Sequence, residues 1–182
     1  MKRPDSIYRL RHKHSPGDAR PQAADADVLI SDQSLPAAAA GAAGAVVLLI
    51  VVWVYAVMLF DQFFPWISII QGYFIGRAVQ HFGRGIDWRF PVLAAGAAIM
   101  GAFLGSFFSA LFLTGREFGM NPFPLLAEVS WHTLKTFSVR EFGLVGVIYA
   151  GMSASIAAFF AGRRLTRQEA IALRKSKMDA HA

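Results

Sequence analysis

Apolar residues run along this chain in long blocks, separated by short polar connections. The two longest blocks, 36–60 and 90–114, each contain 25 residues without a formal charge. At about 1.5 Å per residue, a helix of that length crosses a hydrocarbon layer of about 30 Å. A third block covers 142–162 and stops at two consecutive arginines. The pattern therefore predicts membrane-spanning helices over these three ranges.

A fourth, weaker apolar block extends over 63–82. Gln71 lies near its middle and Arg77 near its end, while Pro65 falls close to its start, where a helix tolerates proline. We predict a fourth span here, with a re-entrant segment as the alternative. The predicted fold is all-α: a polytopic membrane bundle of about four helices, occupying 36–162.

The connection between the last two spans contains a further helical pattern. Asn121-Pro122-Phe123-Pro124 is a turn signal, and apolar positions then recur at helical spacing over 125–137. Trp131 is typical of a residue at a membrane surface. The sequence predicts a short periplasmic helix lying in the membrane interface.

Both ends of the chain are polar. Residues 1–35 mix charges with prolines, which predicts a largely disordered cytoplasmic tail with a helical piece near 7–10. His12 and His14 in that tail are too few for a metal site. Residues 163–182 form a basic cytoplasmic tail, for which Thr166 and Glu169 at capping-box spacing predict a short surface helix.

The distribution of basic residues predicts the orientation. Of the 18 Lys and Arg, 6 lie in the first tail, 3 in 77–89 and 6 in the last tail, so four spans place 15 on one side. Cytoplasmic loops carry such an excess of basic residues, so both termini are expected on the cytoplasmic side of a bacterial inner membrane. With three spans the two basic tails would lie on opposite sides, which the charge pattern disfavours.

Composition narrows the function classes. Only 16% of residues are charged, against about 25% in an average soluble domain. The chain has no cysteine, which excludes disulfides and thiolate chemistry. Its net charge of +6 fits anionic lipid headgroups better than nucleic acid, because the basic residues flank the apolar blocks. We expect the bilayer itself as a partner, and no cofactor.

Small residues recur at helix-contact spacing in every predicted span. Close backbone approach, which small residues permit, holds membrane helices together where burial alone cannot. The predicted packing positions, within the chain or between copies, are Gly72, Gly76, Gly101, Gly105 and Gly146. The first span adds aromatic bulk at Trp53, Tyr55 and Phe60, expected towards the far interface.

A few polar residues are candidates for function. Gln71 is either bonded to a serine of another helix (Ser106, Ser109, Ser153 or Ser155) or lines a path. Arg77 either reaches the cytoplasmic interface with His81 or pairs with Asp87.

In the predicted periplasmic helix, Glu128 and His132 are four residues apart, so their side chains would touch on one helix. A metal there would need Glu117 or Glu141 as a further ligand, so we predict no metal site. The sequence contains no phosphate-binding loop, dinucleotide fingerprint or hydrolase motif, and we expect no catalytic residues.

The segment 65–105 contains a predicted helix with Gly72, Gly76, Ala78 and Val79, then a turn with Gly83, Arg84 and Gly85, then the alanine-rich 94–98. In these positions it resembles a segment of small, uncharacterised bacterial membrane proteins. The resemblance covers about a quarter of the chain and implies an inner-membrane helical bundle. It implies no activity.

Two functional hypotheses follow, with an enzyme as a distant third. The first is a non-enzymatic accessory or scaffold subunit of a bacterial inner-membrane complex, bound to other membrane subunits, whereas a homo-oligomer is expected for the second. The second is a small oligomeric transporter or channel with Gln71 and Arg77 along its path. An intramembrane enzyme would have to use His81 with Asp87, or Glu128 with His132.

Overall fold

The structure is a computed structural model that describes residues 26–163, 167 and 169–171. The predicted helical piece near 7–10, the histidine pair and Thr166 lie outside this part of the chain. The described residues contain seven α-helices and no strand. They are α1 (Ala26–Ser31), α2 (Leu35–Phe60), α3 (Ile67–Gly83), α4 (Arg89–Glu117), α5 (Pro122–Ala127), α6 (Trp131–Thr136) and α7 (Gly143–Ala161), with a π-helical segment, Phe137–Phe142, between α6 and α7.

Three of the helices, α2, α4 and α7, are long and apolar enough to cross a membrane. The all-helical prediction is confirmed. The bounds of α2 agree closely with the predicted 36–60 because Ser34 caps the helix, accepting a hydrogen bond from the N–H of Ala37. Helix α4 extends past the predicted end at 114 to Glu117, and α7 is one residue shorter at each end than predicted.

Helix α3 begins four residues later than the apolar block that predicted it. Residues 63–66 form a turn, and the hydroxyl of Ser68 donates to the carbonyl of Pro65 at 2.8 Å. With 17 residues, α3 is shorter than the three long helices, yet it packs against all of them. Its buried face consists of Ser68, Gln71, Gly72, Ile75, Gly76, Val79 and Gly83.

Helices α2 and α4 run in one direction and α3 and α7 in the other. At one end the N–H of Ser34 donates to the carbonyl of Gly83 at 3.1 Å, and that of Arg163 to the carbonyl of Gly85 at 3.2 Å. At the opposite end Arg116 donates to the carbonyl of Met58 at 2.8 Å. We call the first the basic end (29–34, 80–89, 162–163) and the second the hairpin end (58–66, 116–142).

Glycines let the backbones of α3 and α7 approach closely. A Cβ on Gly72 would overlap the carbonyl oxygen of Ser153, and one on Gly76 would lie 2.5 Å from that of Ala157. The hydroxyl of Ser153 also donates to the carbonyl of Ser68 at 2.6 Å. Beside this contact lies an alanine-rich core of Ala38, Ala42, Val46, Ile75, Val79, Phe90, Ala94, Ala98, Ala157 and Ala161.

Two regions differ from the sequence prediction. The predicted single helix over 125–137 is interrupted at 128–130, because Ser130 forms a capping box with Thr133 and starts a new helix. The predicted disordered tail contains α1, and its end contacts the bundle. Asp32 pairs with Arg84 at 3.0 Å, and the side-chain oxygen of Gln33 accepts from the N–H of Ile86 at 3.2 Å.

The α3–α7 contact predicts unequal effects of one substitution at two glycines. Gly72→Ala forces the helices apart and is expected to cost about 1–3 kcal/mol of unfolding free energy, as overpacking does. Gly96→Ala is the matched control, because nothing lies within 4 Å of a Cβ there. Thermal unfolding in mild detergent should show a lower midpoint for the first variant alone. Equal midpoints would contradict the close approach.

Candidate functional site

Gln71 lies at the centre of the bundle. It is 1% exposed, and its amide lies against α4, where a Cβ on Gly101 would be 2.5 Å from its Nε2. Neither Oε1 nor Nε2 has a hydrogen-bond partner. The expected contact with another helix is present, but the expected bond to a serine is not. Ser153 donates instead to Ser68, and Ser155 to the carbonyl of Gly151 in its own helix.

Two more unpartnered polar atoms lie along the same face of α4. Gly101, Gly105 and Ser109 are four residues apart and share that face. The ring of Trp53 packs on Gly105 and its Nε1 is unpaired, as is the hydroxyl of Ser109. Trp53 is fully buried within the bundle, since glycine leaves room for the indole, and its ring also contacts Phe63 of the hairpin end.

The polar cluster predicted at 77–89 is divided in the structure. Arg77 is exposed and donates to Oε1 of Gln80 at 2.6 Å rather than pairing with Asp87. Asp87 lies 3.9 Å from Arg89 and accepts from the N–H of Trp88. The ring of His81 packs edge-on against Phe82. No hydrogen bond joins His81 to Asp87, both of which are described, so the structure does not assemble the pair that an enzyme would need.

Two adjoining cavities open at the basic end. One, of about 390 Å³, is lined by Asp32, Arg77, Gln80, His81, Arg84 and Arg163. The other, of about 540 Å³, lies between α3 and α7 and is lined by Tyr73, Arg77, Gln80, Phe159, Phe160, Gly162 and Arg163. Arg77, Gln80 and Arg163 border both. Arg77 and Gln71 therefore lie on different faces of α3, one outward and one towards α2 and α4.

The hairpin end contains a mostly apolar cavity of about 410 Å³ between the start of α3, α4 and α7. Its polar lining residues are Ser68, Ser106, Thr114, Glu117 and Tyr149. A volume and lining of this kind are typical of small-molecule sites. Phe137, in the π-helical segment, also borders a second cavity of about 700 Å³ under α5 and α6.

Glu128 and His132 both line this second cavity but belong to different elements. Glu128 is the residue that follows α5 and His132 lies in α6, so the single-helix geometry expected for the pair is wrong. Glu117 lines the neighbouring cavity, and the side chain of Glu141 is outside the described residues. No group of three or more His, Asp or Glu able to hold a metal was found in the described chain.

Four of the five predicted packing glycines contact another helix of the same chain. Gly72 and Gly76 meet α7, Gly101 meets Gln71 of α3, and Gly105 meets Trp53 of α2. Gly146 differs, because a Cβ there would meet the ring of Phe142, just upstream in the chain.

The sequence analysis missed Gln80. Its Nε2 donates to the carbonyl of Gly162 at 2.9 Å, which joins α3 to the end of α7, while its Oε1 holds Arg77. Its spacing could have identified it, because a side chain three residues after Arg77 on a helix is a neighbour of Arg77.

The comparisons with known proteins identify no relative. No family model matches the chain, and neither a curated protein nor a solved structure was found to match it.

The two glutamines of α3 predict opposite results of one substitution. Gln71→Met replaces a buried amide without partners by an apolar side chain of similar shape, and is expected to raise the unfolding free energy by about 1–3 kcal/mol. Gln80→Met removes two hydrogen bonds and should lower it. Thermal unfolding in detergent measures both. A less stable Gln71→Met protein would mean that a bound water or ligand satisfies the amide.

Proposed function

We propose that the chain is a multi-pass protein of the bacterial inner membrane with four spans and both termini cytoplasmic. Support for the fourth span comes from the position of α3. Its last residue bonds to the residue preceding α2, and it begins beside the hairpin end, where Phe63 contacts Trp53. At about 1.5 Å per residue its 17 residues extend about 25 Å, most of the height of its neighbours.

Within that membrane we propose a non-enzymatic accessory or scaffold role. The observation that carries it is the close packing of the bundle centre. At Gly72, Gly76, Gly101 and Gly105 a neighbouring helix or side chain occupies the space of a Cβ. A centre packed in this way resists the rearrangement that alternating access requires, and it favours a rigid body that holds other subunits.

A second candidate, an oligomeric transporter, is favoured by one specific observation. Cavities open at both ends of the bundle, and Gln71, with its unpartnered amide, lies in the layer between them. Ser68, which lines the hairpin-end cavity, is one helical turn from Gln71. Because Gln71 and Arg77 lie on different faces of α3, a path past both side chains would require α3 to separate from α4 and α7. In this arrangement Arg77 lies at the basic mouth.

The four-span topology predicts which loops are reached from outside the cell. The chain has no cysteine, so single cysteines report one position each. Gln62→Cys and Met120→Cys, both at exposed hairpin-end positions, should react with a membrane-impermeant maleimide in intact cells, and Asp87→Cys only after lysis. A re-entrant α3 would instead place 62 and 87 on the same side and 120 on the other.

The accessory role predicts stable partners. A tagged chain, purified from its native membrane in mild detergent, should bring a stoichiometric set of other membrane proteins, identified by mass spectrometry. An unrelated tagged multi-pass protein is the control. A homo-oligomer without partners would contradict the accessory role.

If the purified chain is a homo-oligomer without partners, ion flux into proteoliposomes tests the transporter hypothesis. Gln71→Leu should reduce the flux if the amide lines the path, and a full flux in this variant would contradict the transporter.

A further inference from the structure

The cavity between α3 and α7 at the basic end has two chemically different parts. Its floor is aromatic: Tyr73 packs edge-on against Phe160 at 4.8 Å between ring centroids, and Phe159 adjoins. Its rim is polar and basic, formed by Arg77, Gln80 and Arg163. An apolar strip under a cationic rim, on the outer surface of a membrane bundle, matches an amphipathic ligand.

The ion pairs at this end leave one cation without a carboxylate. Arg84 pairs with Asp32 at 3.0 Å, and Arg163 pairs with Glu169 at 2.8 Å. Arg77 has no carboxylate partner among the described residues, although it lies beside both pairs. Counted over the part of the chain that the structure describes, the rim has one excess positive charge, located at Arg77.

Arg77 is also held in position. Its Nη1 donates to Oε1 of Gln80, and Gln80 donates in turn to the carbonyl of Gly162 at the end of α7. A guanidinium has five N–H donors, so most of those of Arg77 remain available. Because Gln80 fixes the side chain, less conformational entropy is lost when an anion binds.

The depth of Arg77 points to a lipid. It lies six residues before the end of α3, which at about 1.5 Å per residue is about 9 Å below that end. An outward-facing guanidinium at that depth in a bilayer requires a counter-charge or water. The nearest abundant anions are the phosphates of the adjacent leaflet.

We propose that this groove binds one anionic phospholipid. The singly charged phosphodiester contacts Arg77, with Arg163 beside it, and one acyl chain lies along Tyr73 and Phe160. Guanidinium and phosphate match in geometry as well as charge. A zwitterionic lipid fits less well, since its ammonium group would lie beside the two arginines of the rim. The site deepens the proposed function and rests on its bilayer-spanning arrangement.

Native mass spectrometry of the full chain tests the site. The detergent-purified protein is mixed with equal amounts of phosphatidylglycerol and phosphatidylcholine that have the same acyl chains. Phosphatidylglycerol should be retained preferentially, and Arg77→Gln should lower its retention about tenfold, as expected for loss of a charged hydrogen bond. Arg89→Gln is the matched control, because Arg89 is exposed at the same end but lines neither cavity. Equal retention of both lipids, or no loss in Arg77→Gln, would overturn the proposal.

Two further measurements separate the lipid from a soluble anion and from a folding defect. Glycerophosphoglycerol, the free headgroup, should displace the lipid poorly, whereas displacement at the concentration of the lipid itself would mean a simple anion site and overturn the proposal. Tyr73→Ala should lower lipid retention, and full retention would contradict the acyl contact. The Arg77→Gln protein should keep its unfolding midpoint in phosphatidylcholine. If the single-cysteine labelling shows four spans but no anionic lipid is retained, the lipid-site proposal is wrong and the four-span topology stands.

Discussion

The position of α3 among its three neighbours is the constraint on which the rest of the bundle depends. In a lipid environment apolar burial does not drive helices together, so association relies on van der Waals contact at short range. Helix α3 satisfies that requirement by presenting glycines where α7 passes, and the carbonyl of Ser68, which accepts from the hydroxyl of Ser153. Helix α3 also contacts α2 and α4. The shortest of the bundle's four main helices thus contacts the other three, as α4 also does.

This arrangement also determines where polarity occurs. The three neighbours of α3 cover its inner face, so the amide of Gln71 is buried and has no partner from the protein. On the outward face of the same helix, Arg77 and Gln80 form a bonded series to the end of α7. An unpartnered buried polar group costs free energy, whereas a bonded one at the surface costs little. Burial therefore costs free energy at the amide of Gln71, whereas the amide of Gln80 on the outward face is hydrogen-bonded.

Sequence patterns predicted the long helices well, because 25 consecutive residues without charge have few alternatives to a membrane helix. They were less accurate where short-range chemistry competes with periodicity. Pro65 and the Ser68 hydroxyl moved the start of α3, and the Ser130 cap divided 125–137 into separate helices. The burial of Trp53 was not predictable, since it depends on which residue of a distant helix faces the indole. The same reason explains Gln71: the cost of an amide in lipid predicted that it faces another helix, but a hydrogen-bond partner depends on rotamers and spacing across helices.

One short loop determines where both ends of the chain leave the bundle. The N–H of Ser34, just before α2, bonds to the carbonyl of Gly83, and the N–H of Arg163, just after α7, bonds to that of Gly85. The two acceptors are two residues apart, so one loop holds Ser34 and Arg163, although 129 residues separate them along the chain. The start of α2 and the end of α7 are therefore clamped together at this end of the bundle. A substitution that displaces the loop would shift both helix ends at once.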